Sequence, residues 1–112
     1  MSYKRITVEE VREAVEKKCL QLIQGAWESA YDPRQCCALR AVCIYRTDRL
    51  DWIGSVYTTL EVPPEYVAGF TGAYDGMPDL ANAHYLTPSE RAAYYEGRQD
   101  GDNVRRELLP NG

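Results

Sequence analysis

Glycine recurs in the second half of the chain at intervals that suit one face of a helix. Ala93, Gly97, Gly101, Val104 and Leu108 are spaced four, four, three and four residues apart. Shortly before them, Gly69, Gly72, Ala73 and Gly76 make a second smooth row. An interior glycine costs a helix about 1 kcal/mol against alanine, so two such rows need a packing reason. Close approach supplies one: faces without side chains let helix axes come nearer than the usual spacing of about 8–10 Å. We therefore expect a helix over 65–74 to cross a helix over 88–109 at Gly69, Gly72, Gly97 and Gly101, with Tyr66, Phe70 and Tyr74 flanking the crossing. The competing reading is that Gly101, set within Asp100-Gly101-Asp102-Asn103, breaks the last helix.

The flanking signals agree with helices there. Thr87-Pro88-Ser89-Glu90 reads as an N-cap, a proline at the first helical position and a capping-box glutamate. Pro110-Asn111-Gly112 reads as a stop. Val62-Pro63-Pro64 interrupts the chain, Pro64 opens the preceding helix, and Asp75-Gly76-Met77-Pro78 closes it with turn chemistry. Residues 79–86 read as a loop, with one helical turn as the alternative, including Ala81-Asn82-Ala83-His84-Tyr85.

Upstream, Thr7 with Glu10 is a second capping box. Val8, Val11, Val15, Cys19, Leu22 and Ala26 follow at steps of three and four, which predicts a helix over 8–29, with Trp27 anchoring its end. Asp32-Pro33 reads as the start of a helix over 34–45 with Cys36, Leu39, Val42 and Cys43 on one face. A short loop between the two predicts an antiparallel pair. The stretch 48–62 fits both a helical stripe and β alternation. The expectation is helix, with an extended segment as the alternative. The fold expected is therefore all-α: a compact bundle of four to five helices forming a single domain over residues 1–112.

Composition limits function. The 112 residues hold 13 basic and 17 acidic side chains, a net charge of −4, which argues against nucleic acid, whose phosphates must be neutralised by Lys and Arg. Arg46 and Arg49 beside Tyr45 and Trp52 are the best basic–aromatic group for stacking on a single strand. The four cysteines, Cys19, Cys36, Cys37 and Cys43, show no metal-ligand spacing, and His84 is the only histidine. The reading is a reducing cytoplasm, with cysteines serving as small buried hydrophobes. The opening residues lack the apolar core of a signal peptide, and no apolar run reaches a membrane span.

A cysteine nucleophile would need His84 as its base. Asp100 with Asp102 and Glu9 with Glu10 look like solvated helix-end charges rather than acid–base pairs, and residues 100–103 do not match a calcium loop. No phosphate-binding glycine loop occurs. The expectation is no catalytic residue, no metal, no cofactor and no enzyme activity. Nine tyrosines against one phenylalanine suit a core edge or an interface, because each ring carries a hydroxyl needing a partner.

The segments Gly69-Phe70-Thr71-Gly72-Ala73-Tyr74-Asp75-Gly76, Glu96-Gly97-Arg98-Gln99-Asp100-Gly101 and Asn103–Leu108 resemble small uncharacterised helical proteins of bacteria and their phages. The resemblance covers the last third of the chain and rests on glycine spacing. It implies no activity, and it favours an adaptor or inhibitor over an enzyme. The function expected is a non-enzymatic protein-interaction module that self-associates or holds a protein partner. The alternatives are a phage-type inhibitor of a host or defence protein, and a small-molecule or nucleotide-binding domain. The candidate binding residues are Tyr66, Tyr74, Tyr94, Tyr95 and Arg98.

Overall fold

A computed structural model describes residues 3–81 and 83–109. The readings placed on Asn82 and on Pro110-Asn111-Gly112 lie outside these. The described chain is mostly helical but not all-α, since a two-stranded parallel sheet sits among the helices. Its order is α1 (Val8–Lys18), β1 (Gln21–Leu22), β2 (Gln35–Cys36), α2 (Ala38–Thr47), α3 (Val56–Leu60), α4 (Pro64–Tyr74), a 3₁₀ turn (Ala83–Tyr85) and α5 (Pro88–Leu108).

α4 starts on a proline without a side-chain cap, whereas α5 starts on a capping box. Pro64 stands at the start of α4. Thr87 accepts from the Glu90 amide while the Glu90 carboxylate accepts from the Thr87 amide, completing the capping box of α5. The two helices then meet backbone to backbone. A Cβ placed on Gly69 would lie 2.0 Å from the Tyr94 carbonyl oxygen, one on Gly97 2.1 Å from that of Tyr66, and one on Gly101 2.2 Å from that of Phe70. Gly101 continues the helix and does not break it. Gly72 makes room for a side chain, the Arg98 guanidinium, which would come within 3.2 Å of a Cβ. Gly76 belongs to neither row. It follows α4 with φ +75° and open space around it.

α1 is shorter than its apolar stripe suggests. Thr7 caps it by accepting from the Glu10 amide, but the Glu10 carboxylate leaves the box to hold Arg46, 2.9 Å from both Nε and Nη2. The helix ends at Cys19, which adopts a left-handed conformation, and Leu20 turns into the core. Strand pairing then wins over helical periodicity: Gln21 and Leu22 register with Gln35 and Cys36. Residues 27–29 flank the other side of β2 through an antiparallel bridge from Glu28 to Cys36. Asp32 does not cap a helix. Its carboxylate accepts from the Arg34 amide at 2.9 Å and closes a turn. Residues 19–37 thus separate α1 from α2, and the short loop behind the expected antiparallel pair is absent. Glu10 reaches Arg46 and Lys18 reaches Asp48, so α1 crosses the C-terminal end of α2.

α2 is the central element, with every residue from Ala38 to Ile44 buried. Arg40, in that run, holds the loops around it. Its guanidinium donates to the carbonyls of Trp52 (3.0 Å) and Leu50 (3.3 Å) and pairs with Glu28 (3.1 Å). The 48–62 stretch is neither a full helix nor a strand: only Val56–Leu60 is helical, capped by Ser55.

Ahead of α1, residues 3–6 pass across α4 and α5 without regular secondary structure. Ile6 is buried, and its amide donates to the Tyr66 hydroxyl at 2.8 Å. No helix of the described residues is long and apolar enough to cross a membrane.

Candidate functional site

Of the groups singled out for chemistry in the sequence, several are buried or paired. Burial pushes the Cys36 and Cys43 thiols up to about 12 and the Cys37 thiol to about 11, so they are neutral thiols and poor nucleophiles at ordinary pH. His84 is exposed, its ring 4.1 Å from that of Tyr85, while Cys36 and Cys43 are enclosed in the core. Asp102 binds Arg105 and Arg106, which hold its carboxyl below the usual range. Among the described residues, no group of three or more acidic, histidine or cysteine side chains is placed to hold a metal. Arg46 is paired with Glu10 and Arg49 with Asp51, and Trp52 is buried, so that quartet does not form an open stacking surface.

The five candidate binding residues separate into two groups. Tyr66 and Tyr74 lie in the core with their hydroxyls used internally: Tyr66 donates to Asp100 at 2.6 Å and Tyr74 to the Ile23 carbonyl at 2.8 Å. Burial raises both phenols well above their ordinary range. A partner cannot reach these rings. Tyr94 is buried as well, but together with Arg98 and Tyr95 it belongs to a distinct surface.

That surface is built on one face of α5. Arg91, Tyr94 and Arg98 are spaced three and four apart, so they line up along the helix, and each holds the chain that connects α4 to α5. Arg91 donates to the carbonyls of His84 (3.2 Å) and Leu86 (3.1 Å). The Tyr94 hydroxyl accepts from the Leu80 amide at 2.9 Å. Arg98 pairs with Asp79 at 2.5 Å and donates to the Met77 carbonyl at 2.8 Å. At its start the loop is tied to α4 by the Met77 amide donating to the Gly72 carbonyl, 2.8 Å. The described residues of this connection are thus fastened to α4 and α5 by contacts within the chain.

The side chains it presents are large and apolar. Met77 is 59% exposed, Leu80 49% and Tyr85 80%, and Tyr95 on the supporting helix is 45% exposed. Met77, Leu80 and Tyr85 were missed in the sequence because the segment reads as turn residues. The available signal was three bulky apolar side chains within a turn-rich segment of nine residues (77–85).

A cleft of about 210 Å³ lies elsewhere, between Trp27, Cys37, Leu39, Phe70, Tyr74 and Asp75. No known protein family, curated protein or solved structure matches this chain.

Proposed function

We propose that this chain is a non-enzymatic protein-interaction module whose contact surface is the 77–86 loop on α5. The observation carrying this reading is the combination of exposed Met77, Leu80, Tyr85 and Tyr95 with a backbone pinned by Arg91, Tyr94 and Arg98. Met and Tyr are favoured at the centres of protein interfaces. A loop fastened within the chain also lowers the entropy cost of fixing it on binding. The partner is a protein, either a second copy or a different chain.

The test places the photo-crosslinker p-benzoylphenylalanine at Tyr85, with Tyr31 as the control position because it is 97% exposed but lies outside this loop. The expected result is a discrete adduct at position 85, its mass telling a second copy from another protein, that Leu80→Glu reduces at least tenfold. Equal yields at 85 and 31 would rule the surface out.

A further inference from the structure

We propose that the seat of the N-terminal segment on α4 and α5 is a recognition groove for an extended, arginine-bearing segment of a partner protein, held closed in cis by residues 3–6. This site is separate from the 77–86 loop and does not depend on that reading.

The seat is specific for a guanidinium. Arg5 meets Asp100 with Nε on Oδ2 and Nη2 on Oδ1, both at 2.9 Å, the two-point fork that arginine makes and lysine cannot. Nη2 also donates to the Gln99 side chain at 3.0 Å and to the Glu96 carbonyl at 3.4 Å. The Glu96 carboxylate lies 3.7 Å from Nη1 and accepts from the Tyr3 hydroxyl. Tyr66 holds Asp100 in position from below, donating to Oδ2 at 2.6 Å while its own oxygen accepts from the Ile6 amide. Asp100 is thus a nearly buried carboxylate. The pair is half-open, with Asp100 nearly buried and the Arg5 side chain 37% exposed, so the carboxylate stays in place while the guanidinium is within reach of solvent and of a competitor.

The strap is held by side chains at alternate faces. Ile6 fills the core, Arg5 takes the carboxylate, and the Tyr3 ring stands edge-on to Tyr66 at 5.3 Å. It does not fill its trough. A cavity of about 590 Å³ continues beside Tyr3 and Arg5, bordered by Pro63, Glu65, Glu90 and Ala93. Glu65, Glu90 and Glu96 give that space an acidic wall, so a competing segment carrying further basic residues beside its arginine would gain contacts the strap lacks. The chemistry that fits is aromatic–x–Arg–aliphatic in extended form, with additional positive charge.

The probe is a blocked synthetic peptide, Tyr-Lys-Arg-Ile-Thr-Val, and the same peptide with citrulline for arginine, titrated against the full chain by fluorescence anisotropy. Arg5→Ala loosens the strap, so the arginine peptide should bind this variant at least tenfold more tightly than the unaltered chain, as expected when the competent state becomes more populated. Citrulline should weaken binding at least tenfold, and adding Asp100→Asn should abolish it. Absence of binding to a folded Arg5→Ala chain, or equal binding of both peptides, overturns the proposal. Amide exchange on the unaltered chain gives a second reading if Arg5→Ala does not fold. The Ile6 amide should exchange at least tenfold faster than that of Val104, because the strap opens alone. Equal rates would mean that it opens only when the whole fold does, and would sink the idea.

Discussion

The α4–α5 hairpin and the chain between α1 and α2 satisfy their buried backbone in opposite ways. In the hairpin, regular helices carry their own hydrogen bonds, and the closest approach is backbone against backbone at Gly69, Gly97 and Gly101. Between α1 and α2, backbone groups find partners far along the chain. Gln21 donates to the Arg34 carbonyl, Ile23 to Cys36, Cys37 to Trp27, and Gly25 to the Asp75 carboxylate. The hairpin is therefore sensitive at a few points where volume is forbidden. The irregular segment depends on many dispersed bonds and on the burial of β2 and α2 beneath it.

Placing a methyl in the crossing is the harshest way to probe that difference. Gly97→Ala should destabilise by about 3 kcal/mol or more, since the Tyr66 carbonyl cannot retreat without separating the helices, and Gly97→Leu should abolish folding. Urea denaturation measures it. Gly25→Ala, in the irregular segment, meets no atom within 4 Å, so only its left-handed φ of +78° opposes the change. Its cost should be about 1–2 kcal/mol. Similar losses at the two positions would erase the distinction.

Alkaline pH tests the other region. Burial lifts the Cys36 and Cys43 thiols from an ordinary 9.0 to about 12, and Cys37 to about 11. Between pH 9 and these values the unfolded chain has released protons that the folded chain keeps. Stability is thus intact below pH 9 and falls above it, by about 1.4 kcal/mol per pH unit for each such thiol. Replacing Cys36 and Cys43 by alanine should flatten that dependence between pH 9 and 10, above which the raised Tyr66 and Tyr74 phenols add their own fall, while lowering stability at neutral pH. Thermal unfolding at pH 7–11 checks both.

The smallest effect is expected at the end of α1. Cys19 is exposed and holds φ +53°, so Cys19→Gly should raise stability by about 0.5–1 kcal/mol. A loss there would mean the helix end is fixed by the thiol instead.

Where signals act within a few residues, the chain could be read directly: Thr87 with Glu90, Pro64, and the glycine rows place α4, α5 and their crossing. Where the deciding contact is remote, reading failed. Val15-to-Ala26 periodicity promised helix, yet pairing with Gln35 and Cys36 took residues 21–22, and Asp32 closed a turn. The candidate surface was half legible. Tyr94, Tyr95 and Arg98 belong to it, but Tyr66 and Tyr74 turned inward, because a tyrosine's hydroxyl finds a buried acceptor as readily as a partner, and which it meets depends on the packing.

By itself the sequence determined that α4 and α5 form and cross closely, because helix caps and the missing side chains of glycine act at the residues that carry them. The tertiary structure alone decided that β2 replaces a helix, that Arg91, Tyr94 and Arg98 fasten a loop bearing Met77, Leu80 and Tyr85, and that Arg5 seats on Asp100. Those outcomes join residues distant in sequence, and their energies exist only once the core has brought the partners together.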